Sequence, residues 1–105
     1  MLTHIVVWKY KDETDEATRR AHIEALRQLA TIIPEVESLT VGADVLHLAR
    51  SYDTGLVARF RDRAALARYD EHPSHKEVAR MGRRISQHVA SVDFESEDLA
   101  TDRHR

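Results

Sequence analysis

Between Tyr69 and Glu77 the sequence reads YDEHPSHKE, which sets one tyrosine and two histidines around a proline. The residue before a proline is driven out of the helical region, so His72 marks a break in a helix. Pro73 suits the first position of the helix that follows. His75 then falls in that helix's first turn, where the positive end of the dipole disfavours imidazolium and favours a neutral ring. A neutral imidazole can accept a proton at pH 7. Tyr69 lies one turn before the break, and the bend can bring its hydroxyl and the His75 ring to one hollow as acid and base. The same residues also have a structural reading, with Tyr69 as a core side chain whose hydroxyl sits at the edge and the histidines as caps of backbone groups. The H-x-x-H spacing of His72 and His75 offers two metal ligands without a nearby third, so no metal is assigned.

These residues need elements to position them. From Leu2 to Tyr10 the chain is β-branched or aromatic on both faces, with His4, Val6, Trp8 and Tyr10 pointing one way and Thr3, Ile5, Val7 and Lys9 the other. Asp12 or Thr14 is placed to cap a helix in which Ile23, Leu26, Leu29, Ala30 and Ile33 form one apolar stripe, and Pro34 ends it. Leu39–Leu46 and Leu56–Arg61 read as an antiparallel pair of strands. Asp62 caps a helix from Arg63 to about Glu71, the period resumes after Pro73 through Val78 and Ile85, and Val89–Phe94 is a last strand.

The order strand, helix, strand, strand, helix, strand predicts an α+β, ferredoxin-like βαββαβ fold with both helical segments on one face of a four-stranded antiparallel sheet. The opposite face, with Ile5 and Val7, is left without cover inside one chain. A second copy packed face to face, a homodimer through the sheets, removes that apolar surface from water. Domain boundaries are read as 1–95 for the folded unit and 96–105 for a flexible charged tail. His4, Val6 and Trp8 form the sheet wall of the hollow; His4 is read either as a core histidine or as a pocket group. Ile23, Leu26 and His72 join them as substrate-binding candidates, around Tyr69 and His75 as catalytic candidates. His22, His47, His88 and His104 have no evident partner and receive no role.

Composition removes several classes. With 105 residues, 42% hydrophobic and 32% charged, the chain makes one soluble domain. A net charge of −2 with interspersed signs gives no field that would gather nucleic acid or an anionic membrane. No cysteine is present, which excludes disulfides, thiolate metal sites and thiol nucleophiles. Three glycines form no phosphate loop, so no nucleotide cofactor is expected. The apolar run at the start is too short for a leader or a membrane span, which leaves a cytoplasmic location as the expectation.

HIVVWKYKDE at His4–Glu13, IIPEVESLTVG at Ile32–Gly42, YDEHPSHKEV at Tyr69–Val78 and VDFE near the end, taken in this order, resemble the stress-responsive A/B barrel domain family. The resemblance covers about Leu2 to Glu95. It implies a dimeric α/β barrel joined through the sheets. In a plant branch of that family a tyrosine and a histidine of a Y-x-x-H-P-x-H motif cyclise a linear polyketide without cofactor. These match Tyr69 and His75, and a first-strand pocket histidine matches His4. The chain departs from that branch where Thr54 replaces another pocket histidine and Leu26 a helix tyrosine, while Trp8 narrows the hollow. The resemblance implies a cofactor-independent cyclase or lyase acting on a polyketide-like or aromatic small molecule. It is also compatible with a non-catalytic stress-responsive or ligand-binding dimer, and with a cofactor-free oxygenase of quinol-type substrates.

Overall fold

Strand β1, Leu2–Tyr10, is the axis of the molecule: it pairs antiparallel with β3, Thr54–Phe60, on one side and with β4, Ser86–Glu95, on the other. Strand β2, Ser38–Ala43, adds to the free edge of β3, which gives the order β2-β3-β1-β4. Three helices complete the fold: α1, Glu16–Ile32; α2, Arg63–Glu71; and α3, Pro73–Ile85. This computed structural model describes residues 1–96. It has the ferredoxin-like arrangement of four antiparallel strands and helices read from the sequence. The charged tail and His104, from residue 97 onward, lie outside the described residues.

Cross-strand partners share a face, so the register assigns each side chain. Leu2 stands opposite Phe60, His4 opposite Ala58 and Val6 opposite Leu56 on the helix side. There Leu2, Tyr10, Leu29, Ile33, Leu56, Phe60 and Tyr69 are buried and make the core. On the other face Ile5 stands between Val57 and Val92, and Thr3 between Arg59 and Phe94. Val57, Val92 and Phe94 are 43%, 52% and 46% exposed, so this chain leaves an apolar sheet face in contact with water.

Element boundaries differ from the sequence reading in places with clear causes. Asp15, not Asp12 or Thr14, caps α1: its carboxylate accepts from the Thr18 N–H at 2.9 Å, while the Thr14 hydroxyl donates to the Ile85 carbonyl. The buried stripe of α1 is His22, Leu26 and Leu29, with Ile33 buried at its C-cap, and Ala30 faces water. Strand β2 stops at Ala43 instead of Leu46 because the Asp44 carboxylate accepts from His47 N–H at 2.6 Å and His47 takes a φ of 54°, closing a turn. Val45 and Leu46 are left exposed on that turn. Strand β3 begins at Thr54, two residues before the expected Leu56, and β4 begins at Ser86, three before Val89. In β4 the gain follows from a bulge at Lys9/Tyr10 that lets Ser86 pair with Tyr10. Among the described residues no helix is long and apolar enough to cross a membrane.

Candidate functional site

The joint between α2 and α3 sets the site. Asp62 starts α2 by accepting from the Ala65 N–H at 2.9 Å, and the helix runs until His72, whose ψ of 134° is the extended conformation required before Pro73. His72 then serves as the N-cap of α3, its Nδ1 accepting from the Ser74 N–H at 3.1 Å. The proline costs α3 nothing at its first position, where the missing N–H has no helical partner anyway. The outcome is a sharp turn with Tyr69 on one arm and His75 on the other, their rings 4.4 Å apart.

Each ring is held in a definite chemical state. His75 Nδ1 lies 3.2 Å from the Asp70 carbonyl oxygen. A carbonyl only accepts, so Nδ1 carries the proton and Nε2 keeps a free lone pair. Burial lowers the His75 pKa, and the charges of His4 and Arg83 act the same way, against the raising effects of the Asp70 carbonyl and carboxylate. The neutral ring expected from the helix dipole is thus secured chiefly by loss of water. The Asp70 carboxylate lies 3.8 Å from Nε2 and would stabilise the ring once protonated. Tyr69 is 1% exposed, and burial, helped by Asp70, pushes its phenol well above the ordinary value. Its hydroxyl, which makes no hydrogen bond with any described residue, is therefore a donor that does not ionise.

Both rings border a cavity of about 190 Å³ between the helices and the inner face of β1 and β4. His4, Val6, Trp8 and Leu26 line it with them, as do Asp70, Ala79, Arg83, Val89 and Ser91. Ile23 and His72 are outside this lining, His72 because its ring is committed to the α3 cap. His4 Nδ1 pairs with the Asp93 carboxylate across the β1–β4 register. Asp93 thereby fixes the His4 ring, which sits edge-on to Tyr69 with centroids 6.1 Å apart. Among the described residues no three His, Asp or Glu side chains gather as a metal ion would need.

The family model described as Stress responsive A/B Barrel Domain matches residues 2–96. The chain belongs to this family. No curated protein matches it. Among solved structures, the A/B barrel chain is similar to a dimeric ferredoxin-like protein of unknown function from Thermobifida fusca, with 25% identity, 90% of each chain covered and a TM-score of 0.83. A protein from Arabidopsis thaliana aligns at 22% identity over 93% of this chain and 97% of its own, with a TM-score of 0.81. A hydroxynitrile lyase from Passiflora edulis aligns at 18% identity over 92% and 94%, with a TM-score of 0.83. The last two likenesses show a common fold.

Beside the cavity this A/B barrel domain carries a polar cluster that sequence reasoning left without a role. His22 is fully buried, and its Nδ1 is 2.8 Å from the Tyr10 hydroxyl, which donates to Thr54 Oγ1 at 2.9 Å. The hydroxyl's proton is thus used on Thr54, so His22 Nδ1–H donates to Tyr10 and Nε2 is bare. That Nε2 has no hydrogen-bond partner, and burial lowers the His22 pKa to about 4. Trp8 packs edge-on against the ring at 5.0 Å, separating this cluster from the cavity. Gly82 makes the packing possible: a Cβ there would stand 2.8 Å from both His22 Nε2 and Trp8 Nε1. Thr54, at the position where the plant branch has a pocket histidine, is therefore committed to the buried cluster. Among the described residues the other two histidines left unassigned are surface groups, His88 3.0 Å from the Tyr52 hydroxyl and His47 3.6 Å from the Asp44 carboxylate.

Proposed function

We propose that this protein is a homodimer joined through its outer sheet faces and that each copy catalyses cofactor-independent proton transfer on a small carbonyl compound, of the cyclase or lyase type. The observation that carries the reading is the pairing in one cavity of a neutral imidazole, whose Nε2 makes no hydrogen bond with any described residue, and a phenol whose hydroxyl has no partner among them. In the proposed step His75 Nε2 takes a proton from the carbon beside a carbonyl. The C–H bond breaks, an N–H bond forms, and the electron pair moves to the carbonyl oxygen. Tyr69 donates a hydrogen bond to that oxygen as its charge grows. Asp70 stabilises the imidazolium, and turnover is completed either by return of the proton to carbon or by attack of the enolate on a second carbonyl of the same molecule, whose oxygen becomes an alkoxide and takes the proton from His75 Nε2. The Passiflora lyase supports the reading in so far as a lyase has been built on this fold. The dimeric Thermobifida protein and the exposed apolar face of Val57, Val92 and Phe94 support the assembly.

Cavity size limits the substrate. A void of about 150 Å³ holds benzene, so about 190 Å³ takes one ring with short substituents or an equivalent folded chain. The test is deuterium exchange at the α-carbon of 1-phenylpropan-2-one in heavy water, followed by NMR. Wild-type protein should accelerate it, and His75→Ala and Tyr69→Phe should each lose on the order of a hundredfold or more with unchanged melting. Variants as active as wild type, or a wild type no better than buffer, would leave the alternative of a non-catalytic ligand-binding dimer.

A further inference from the structure

On helix α3, His75, Ala79 and Arg83 recur at steps of four and all three line the cavity. They form one stripe, with His75 and Arg83 two turns, or about 12 Å of helix axis, apart. Helical side chains lean toward the N-terminus, so Arg83 reaches over Ala79 in the direction of His75. The small methyl of Ala79 leaves the space between them open. We infer that Arg83 is an anion subsite at the mouth of the cavity and that the ligand carries a carboxylate, held there while its carbonyl end lies between Tyr69 and His75.

The charges around the cavity single out this group. Asp93 is paired with His4, and Asp70 faces His75. Arg83 is the one arginine or lysine among the residues that line the cavity, and it makes no ion pair and no side-chain hydrogen bond with any described residue. Its charge is nevertheless felt at His75, whose pKa it helps to lower. A ligand carboxylate on Arg83 offsets that effect and offers the guanidinium a two-point acceptor, which a planar fork binds better than a point charge does. The inference rests on the reading of the cavity as a ligand site and adds the ligand's charge.

Binding can be measured without catalysis, which separates the two ideas. Benzoate and benzamide have nearly the same shape and differ in charge, and calorimetry at neutral pH and low salt compares their affinities for wild type and Arg83→Gln. Wild type should bind benzoate about tenfold or more tightly than benzamide, and Arg83→Gln should remove that preference while leaving benzamide unchanged. Ala79→Leu, which fills the gap, should weaken both ligands. Equal affinities in wild type, a preference that survives Arg83→Gln, or no binding of either probe overturns the subsite. A protein that prefers benzoate through Arg83 but exchanges no deuterium keeps the subsite and loses the proposed reaction.

Discussion

His22 should make stability fall with acid in a way that one substitution can expose. In the unfolded chain its pKa is near the ordinary value of about 6.5, whereas in the native core it is lowered to about 4 by burial. Below about pH 6.5 the unfolded state therefore binds a proton that the native state refuses, and stability present above that pH is lost progressively until the native ring titrates. With these two values, the loss between about pH 7.5 and about pH 4.5 is at most about 2.5 kcal/mol, a large share of the stability of a small domain. His22→Asn removes the titrating group while keeping a polar atom close to the Nδ1 position that bonds Tyr10. The void it leaves lowers stability by an offset that does not depend on pH. Urea unfolding of both proteins at fixed protein concentration, at several pH values across this range, gives the difference, in which the acid effects of all other groups cancel. The advantage of wild type should shrink by about 2 kcal/mol or more toward acid. A difference that stays flat to within about 0.5 kcal/mol would mean that His22 takes up its proton as readily in the native state as in the unfolded one, so that the ring is not held neutral by burial.

Gly82→Val should lower the melting temperature even though valine is the better helix former, because its Cβ meets His22 and Trp8 and overpacking of this kind costs about 1–3 kcal/mol. His72→Ala should cost about 1 kcal/mol in chemical unfolding, the worth of an N-cap, and leave benzoate affinity where it was, since the ring caps α3 and lies outside the cavity. Val57→Asp combined with Val92→Asp should give a monomer in sedimentation, because the proposed interface would have to bury two unpaired carboxylates; a dimer that persists would move the interface elsewhere.

How far the sequence could be read depended on distance along the chain. The β-branched and aromatic residues on both faces of Leu2–Tyr10 report a strand that needs cover on both sides, and Pro73 reports the joint that brings Tyr69 and His75 together. Both signals are local. The groups that escaped notice are joined by contacts that sequence spacing does not reveal. Asp93 meets His4 because β4 runs beside β1 in one particular register, 89 positions later in the chain. His22 had no evident partner along the chain; it bonds to Tyr10, which bonds in turn to Thr54, and these two come from different strands. Gly82 carries no local turn signal, and its reason is the close approach of α3 to β1 and α1. Arg83 alone had a legible cue, the four-residue step from His75 through Ala79, which only a cavity on that side gives meaning.

Strand β1 presents its residues by turns to two unlike environments, His4, Val6 and Trp8 to the hollow and Ile5 and Val7 to the far side of the sheet. Insertion or loss of a single amino acid within it would invert both surfaces together, drowning the greasy side chains and stranding the imidazole outside. Descendants of this gene are consequently free to experiment with chain length in the segment 44–53, where nothing alternates, but must tune the chamber by exchanging letters in place. A laboratory that wishes to redirect the protein toward another compound inherits the same constraint.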